Sequence, residues 1–323
     1  MLEIAIRTAL SFKYDCPFLT PRDILYTYYY PEVKSVLKAY PEKEPNSFRV
    51  LLLGASVLLP GFGTIEAELK NKLRKAYPSK KITIFNVAAP AHTSLDSRFK
   101  YQLLSSHHFD AVIFYHGINE TRANNCPPKV FRSDYTHYAF YQETHLLMRH
   151  PEMNYLALPY FLELVFLKIS NKLNHDRLVS IQAPQPDWLQ YGKTFKTGPA
   201  FANNIQVIIN LAKRKKEKLL LLGYAYYVPF NYSLPAFLSK TLDYQTHDSP
   251  IELWGLPLQV ANGVEGHNQV LRSLVQNNSE VIYYDMNAII PKNKYYFNDI
   301  CHLTNRGCDL FAKKVVLTLT ENQ

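Results

Sequence analysis

The feature that most constrains the fold of this chain is a regular alternation between short apolar runs and longer segments with helical periodicity. Continuous apolar runs indicate strands buried on both faces, whereas apolar residues recurring every three or four positions indicate amphipathic helices. Strands that alternate with helices build βαβ units, so we expect an α/β protein with a parallel sheet. The predicted strands are 49–53, 81–87, 110–115, 218–223 and 280–285, and the predicted helices are 66–77, 94–106, 200–217, 263–276 and 304–320.

Five strands in this rhythm predict a doubly wound, flavodoxin-like five-stranded parallel sheet with its functional groups at the carboxyl ends of the strands. Two stretches, 123–199 and 225–262, interrupt the rhythm, and we interpret both as helical or irregular insertions into a domain of residues 48–323. Residues 1–47 end in a polar, proline-marked break at 41–47 and are expected to form an extension packed on the core.

The charge balance bears on partners rather than on the fold. The chain has 36 Lys+Arg against 27 Asp+Glu, a net charge of +9, which favours anionic surroundings such as polysaccharide, lipid headgroups or nucleic acid. Its dense basic run, 213–218, falls at the C-terminal end of a predicted helix, where cations complement the helix dipole. We therefore expect no nucleic-acid partner.

Membrane signals are weak along the sequence. The first 18 residues lack the apolar run of a signal peptide, and the longest apolar stretch, 156–169, is shorter than the ~20 residues that span a bilayer. We expect no transmembrane segment, in a protein that is cytoplasmic or an anchor-less part of an exported protein. Two alternatives stay open: peripheral membrane contact through the aromatic segment 23–30, and an acyl pocket lined by 156–169 instead of ordinary core packing.

The cysteines and histidines do not form a metal motif. Cys16, Cys126, Cys301 and Cys308 show no zinc-type spacing, and neither His107-His108 nor the histidines of the first insertion have ligand spacing. No glycine-rich phosphate loop occurs either, so we expect no cofactor and no metal. A bridge between Cys301 and Cys308 is left open, and Cys301 is expected to be a small buried residue.

Polar residues follow the predicted strands at the points where the strands end. Ser56 follows the first strand in a Gly-Ala-Ser turn, and a turn of small residues around Ala91 follows the second. Asn119 follows the third strand, and Asp299 and His302 lie three apart after the fifth, just before a helix. A serine nucleophile needs a base to take its proton and a carboxylate to orient that base, so this set is suited to nucleophilic catalysis.

These motifs, in this order along the chain, resemble the four blocks of the SGNH hydrolases, also called GDSL esterases/lipases. The resemblance covers residues 48–122 and roughly 200–323, and the segment Asp-x-x-His-Leu-Thr at 299–304 is its most specific part. It implies that Ser56 is the nucleophile, His302 the general base and Asp299 the residue that orients the base. It also implies an oxyanion hole built from the N–H groups of Ser56 and Ala91 and the side-chain amide of Asn119.

The chain departs from the family pattern at two positions. Ala55 stands where the family has Asp before the nucleophile, and Ala91 stands where it has Gly in the second block. Alanine tolerates a positive φ poorly, at a cost of roughly 1 kcal/mol, so we expect a reshaped oxyanion hole at Ala91.

The sequence therefore predicts a serine ester hydrolase of the acylesterase or deacetylase type that works through an acyl-enzyme. The expected substrate is a small-molecule, lipid or acylated-carbohydrate ester, and the oligomeric state is left open. Two other functions use the same residues: an O-acyltransferase with the same triad, and a catalytically idle carbohydrate- or lipid-binding protein of the same fold.

Overall fold

The structure is a computed structural model of the chain and describes residues 1–39, 44–173, 178 and 186–321. Part of the predicted polar break, residues 41–43, lies outside the described residues, as do residues 174–177 and 179–185 of the first predicted insertion.

The described residues contain a five-stranded parallel sheet with the strand order β2-β1-β3-β4-β5. This is the flavodoxin-like order, so the predicted fold class is confirmed. Every residue of the interior strand β1 is buried, as expected for a strand covered on both faces. The strands are β1 Ser47–Gly54, β2 Lys81–Asn86, β3 Ala111–Tyr115, β4 Lys218–Gly223 and β5 Ile282–Asp285.

Helices follow most of the strands, as the periodicity predicts. None of the described helices combines the length and the hydropathy that crossing a membrane requires. The helices are α1 Leu2–Tyr14, α2 Pro21–Tyr29, α3 Lys34–Leu37, α4 Ile65–Ala76, α5 Ser94–Leu103, α6 Ile118–Asn124, α7 Ala139–Arg149, α8 Leu158–Leu173, α9 Gly198–Lys215, α10 Leu234–Leu238, α11 Pro257–Gln276, α12 Met286–Ile289 and α13 Asn305–Glu321.

The main hydrophobic core lies between the sheet and two of these helices. Alternate residues of the central strands, such as Val50 and Leu52, share one buried cluster with Leu69 of α4 and Phe311 of α13. Because successive side chains of a strand point to opposite faces, Leu51 points away from that cluster, and it is fully buried too. The sheet is therefore a buried, rigid platform for the loops at its carboxyl edge.

The strand register places three of these loops side by side. Gly54 at the end of β1 pairs with Tyr115 of β3, and Leu52 of β1 pairs with Asn86 at the end of β2. The segments that carry Ser56, Ala91 and Asn119 thus leave the sheet from adjacent strands, with the strand of Ser56 in the middle.

Contacts divide the chain into two compact units. One comprises Ser35–Cys126 and Pro186–Gln323 and holds the sheet, and the other comprises Met1–Lys34 and Pro127–Gln185. Within this second, helical unit, the N-terminal residues are tied to the first predicted insertion, since Glu3 accepts hydrogen bonds from the N–H groups of Ala157 (2.8 Å) and Leu158 (3.0 Å). The expected packing of residues 1–47 on the sheet domain stays a prediction.

The cysteines are all buried free thiols. Cys301 and Cys308 are therefore not bridged in the structure, and Cys301 has the buried position that the sequence predicts.

Candidate active site

Ser56 lies two residues beyond the end of β1, at the carboxyl edge of the sheet. It opens a single 3-10 turn, Ser56–Leu58, in which its carbonyl accepts a hydrogen bond from the N–H of Leu59 at 2.9 Å. Its hydroxyl oxygen lies 3.0 Å from Nε2 of His302. The tight turn after a buried strand thus presents the serine hydroxyl directly to an imidazole.

Asp299 holds the other side of that imidazole. One carboxylate oxygen, Oδ2, lies 2.7 Å from Nδ1 of His302. The other, Oδ1, accepts the backbone N–H groups of Cys301 (2.9 Å) and His302 (2.8 Å), so the buried carboxylate is fixed from both ends. When the Nδ1–H donates a hydrogen bond to the carboxylate, the Nε2 lone pair faces the hydroxyl of Ser56, which is the arrangement a general base requires.

Two opposing effects act on the pKa of His302. Burial lowers the pKa, whereas Cys301 and the Asp299 carboxylate raise it, and the net direction is upward. Burial also raises the pKa of the Cys301 thiol, which favours its neutral form. The Asp299 carboxylate therefore stabilises the imidazolium that forms when His302 accepts a proton.

Phe62 covers one face of this imidazole. The two rings are stacked, with their centroids 4.8 Å apart and an interplanar angle of 19°. Phe62 is 38% exposed, so its ring lies between His302 and solvent. The stack restrains the tilt of the ring without occupying either of its nitrogens.

Ala91 has a φ of 60°, in the left-handed region that glycine adopts without strain. The structure therefore places a non-glycine residue in the backbone conformation that the family's glycine implies. The fully buried Lys100 binds residues on both sides of this turn. Its Nζ lies 2.6 Å from the carbonyl oxygen of Val87 and 2.6 Å from Nδ1 of His92. Burial and the charge of Lys100 both lower the pKa of His92, so this histidine is neutral and accepts from the lysine.

The side-chain amide of Asn119 has an orientation defined by two neighbours. Its Nδ2 donates to the carbonyl of His92 at 2.8 Å, and its Oδ1 accepts from the indole N–H of Trp254 at 2.8 Å. One N–H of the amide remains beyond the bond to His92. Because His92 directly follows Ala91, Asn119 is attached to the same turn that carries the second predicted oxyanion donor.

The two backbone donors predicted for the oxyanion hole have no acceptor in the part of the chain that the structure describes. Among the described residues, the N–H groups of Ser56 and Ala91 donate to no carbonyl and no side chain. A buried or half-buried N–H without an acceptor is uncommon in proteins, and such groups are suited to binding an oxygen of a ligand.

The structure thus brings Ser56, His302 and Asp299 into one hydrogen-bonded chain and joins Asn119 to the Ala91 turn. The ligand atoms of Asp299, Cys301 and His302 also lie within 4.8 Å of one another, a separation that in principle suits a metal ion. An ion between them would have to displace the 2.7 Å hydrogen bond between Nδ1 and Oδ2.

Trp254 and Phe62 are the site residues that sequence reasoning did not single out. Trp254 lies in the second irregular stretch, and Phe62 lies in the turn between the 3-10 turn of Ser56 and α4. Both segments lack a periodic pattern, so no signal in a single sequence assigns their side chains to the site. A lone tryptophan in a polar, proline-containing loop is the available hint, because a buried indole N–H needs an acceptor.

Comparison with known proteins gives no match to a protein-family model and no match among curated proteins. Solved structures do match. A GDSL-like lipase from Bacteroides thetaiotaomicron has 12% sequence identity and a TM-score of 0.48, covering 91% of this chain and 98% of its own. An acetylxylan esterase from Geobacillus stearothermophilus has 11% identity and a TM-score of 0.44, covering 85% of this chain and 96% of its own.

The TM-scores of both matches lie below 0.5 and both identities below 15%, so the function of this chain depends on its own residues.

Proposed function

We propose that this chain is a serine ester hydrolase that cleaves its substrate through an acyl-enzyme on Ser56. The observation that carries the proposal is the continuous chain from the Ser56 hydroxyl to His302 (3.0 Å) and on to Asp299 (2.7 Å). A serine hydroxyl is a weak nucleophile unless a base removes its proton, and this chain supplies both the base and the carboxylate that orients it.

In the first half of the reaction, Nε2 of His302 accepts the Ser56 proton as the serine oxygen attacks the ester carbonyl. The other ring proton stays on Nδ1 of His302 and remains hydrogen-bonded to Asp299. The Asp299 carboxylate stabilises the imidazolium without itself taking a proton. The negative charge on the former carbonyl oxygen is met by the free N–H of Asn119 and by the N–H groups of Ser56 and Ala91, which have no acceptor among the described residues.

The tetrahedral intermediate then collapses, and His302 returns its proton to the departing alcohol. In the second half, His302 takes a proton from water as the water oxygen attacks the acyl group. The bond between the acyl carbon and the Ser56 oxygen then breaks, the carboxylic acid leaves, and His302 returns its proton to the Ser56 oxygen. The substrate we propose is a small-molecule or acylated-carbohydrate ester. No cofactor is required for any of these steps.

A panel of esters tests the proposal. Wild type and Ser56→Ala are assayed with p-nitrophenyl esters of increasing chain length and with an acetylated xylo-oligosaccharide. We expect hydrolysis of at least one ester, and a loss of about 10³-fold or more in turnover for Ser56→Ala, because the oxyanion hole and binding alone remain. Ser105→Ala is the matched control, since Ser105 is exposed after α5 at the opposite edge of the sheet. Equal activity of wild type and Ser56→Ala would overturn the proposal.

A further inference from the structure

An asparagine amide can serve an oxyanion hole only with its nitrogen end toward the substrate. Its two ends are similar in size and shape, so a free amide can present either its N–H groups or its oxygen. At Asn119 the wrong orientation would place a partial negative charge where the reaction develops a full one. What fixes the amide therefore bears directly on the proposed chemistry.

The two neighbours of Asn119 fix its orientation consistently. An indole N–H can only donate, so the atom that faces Trp254 Nε1 at 2.8 Å is the amide oxygen. A backbone carbonyl can only accept, so the atom that faces His92 O at 2.8 Å is the amide nitrogen. Rotating the amide by 180° would place its oxygen against the carbonyl oxygen of His92 and its N–H groups against the indole N–H of Trp254. Both contacts would then be repulsive.

We infer that Trp254 is a positioning residue that holds the Asn119 amide with its remaining N–H available to the oxyanion. This inference rests on the proposed function, in which Asn119 is a catalytic donor. It assigns a role to the second irregular stretch of the chain, which lies outside the four motifs that resemble a known family.

Trp254 is itself held in place by the helix that carries Asn119. Trp254 is only 6% exposed, and its carbonyl accepts a hydrogen bond from Nδ2 of Asn125, the residue that caps the C-terminus of α6. Asn119 and Asn125, at the two ends of α6, thus both bind the same tryptophan, one through its ring and one through its backbone.

The residue after Trp254 shows how closely the two segments approach. Gly255 has a φ of 145°, which side-chain-bearing residues rarely adopt. A Cβ at this position would collide with the side-chain amide of Asn125. The backbone angle of Gly255 therefore favours glycine, where the Trp254 carbonyl lies against the Asn125 amide at the end of α6.

The experiment removes the indole N–H and measures kcat and KM with an ester that the wild type hydrolyses. Trp254→Phe keeps an aromatic ring and removes the donor. We expect kcat to fall about 10–100-fold with KM within about twofold, a smaller loss than the ~10²–10³ expected for Asn119→Ala. Trp188→Phe is the matched control, because Trp188 is the other tryptophan of the chain and lies in a separate 3-10 segment, Pro186–Lys193.

A double-mutant cycle separates positioning from general structural support. In the Asn119→Ala background, Trp254→Phe should cause no further loss of kcat, because the amide that it positions is gone. The inference is overturned if Trp254→Phe leaves kcat unchanged while Asn119→Ala lowers it, or if Trp254→Phe costs the same in both backgrounds. If Ser56→Ala abolishes activity and Asn119→Ala has no effect, the oxyanion donor is misassigned and the inference fails with it, while the nucleophile stands.

A second variant covers the case in which Trp254→Phe does not fold. In a Trp188→Phe background, Trp254 is the sole tryptophan, so growth with benzothienylalanine replaces its ring N–H by sulfur in a side chain of nearly the same shape. The same fall in kcat is expected at an unchanged melting temperature, and full activity of this protein would overturn the inference.

Discussion

Ala91 occupies a backbone conformation with a φ of 60° that favours glycine. In Ala91→Gly, removal of Cβ relieves roughly 1 kcal/mol of strain in the folded state. The greater backbone freedom of glycine stabilises the unfolded state by a similar amount, so the two effects nearly cancel. We expect the free energy of unfolding to change by less than about 0.5 kcal/mol and activity to be equal or higher.

Ala55→Gly is the control for this prediction, because Ala55 has a φ of −120° and has no such strain to lose. It should cost about 0.5–1 kcal/mol by urea unfolding. Equal destabilisation of the two variants would contradict a left-handed backbone at Ala91.

The pH dependence of the reaction depends on His302. The base must be neutral, so activity rises as pH rises through its pKa, and the Asp299 carboxylate moves this rise to the alkaline side of the ordinary histidine value near 6.5. Profiles of kcat/KM against pH measure this.

Asp299→Asn should lower the rate and move the remaining rise in activity to lower pH, because burial then lowers the pKa of His302 without the opposing effect of the carboxylate. A profile that is flat from pH 5 to 9 with chemistry rate-limiting would count against a histidine base.

Among single residues, those that directly follow predicted strands were accessible to sequence reasoning. A predicted strand ends shortly before Ser56 and before Asn119. Asp299 and His302 are three residues apart in a short motif that precedes a predicted helix. Trp254 was not accessible, because its contact with Asn119 depends on the path of an irregular loop. The positive φ at Ala91 could be expected only from the resemblance, because the family has glycine at this position. Alanine by itself gives no such signal.

At the scale of elements, helix α8 agrees with core packing of the apolar stretch 156–169 on one face only. Its residues Tyr160 and Leu164 are buried, but Leu162 and Phe166 are 57% and 74% exposed, so this second face is not core, and an acyl pocket there stays a prediction. We expect Leu162→Asp to change the free energy of unfolding by less than about 0.5 kcal/mol. The control, Leu164→Asp, should destabilise by several kcal/mol because it buries a charge. Unfolding of Leu162→Asp to the same extent would show that this face is covered.

The predicted strands and most of the predicted helices agree with the structure, because buried runs and amphipathic periods are strong local signals. Helix α6 is not among the predicted helices, since it has only seven residues and begins three residues after the end of β3. Such a short helix depends on its neighbours, and here Gly263 of α11 allows close contact, as a Cβ there would lie 2.8 Å from Thr121 of α6. Helix α11 begins at Pro257, ahead of the predicted 263, because its first turns lack a clear apolar period.

At the scale of the whole chain, the sheet order was predictable and the grouping of the helical segments was not. The rhythm of strands and helices specifies a doubly wound sheet. The association of Met1–Lys34 with Pro127–Gln185 depends on long-range contacts, such as the 3.0 Å hydrogen bond from Arg7 to the carbonyl of Asn154, which leave no periodic trace in the sequence. The domain limits at 48–323, with insertions at 123–199 and 225–262, stay a prediction.

The central claim is that Ser56 is the nucleophile of an ester hydrolase, and covalent labelling tests it most directly. The chain is treated with an alkyl fluorophosphonate, digested and analysed by mass spectrometry, with Ser56→Ala and Ser105→Ala treated in parallel. We predict one adduct, on the peptide that contains Ser56, with loss of activity in proportion to labelling, the same adduct in Ser105→Ala and none in Ser56→Ala. An adduct on a different serine, or full ester hydrolysis by protein that carries no adduct, would contradict the claim.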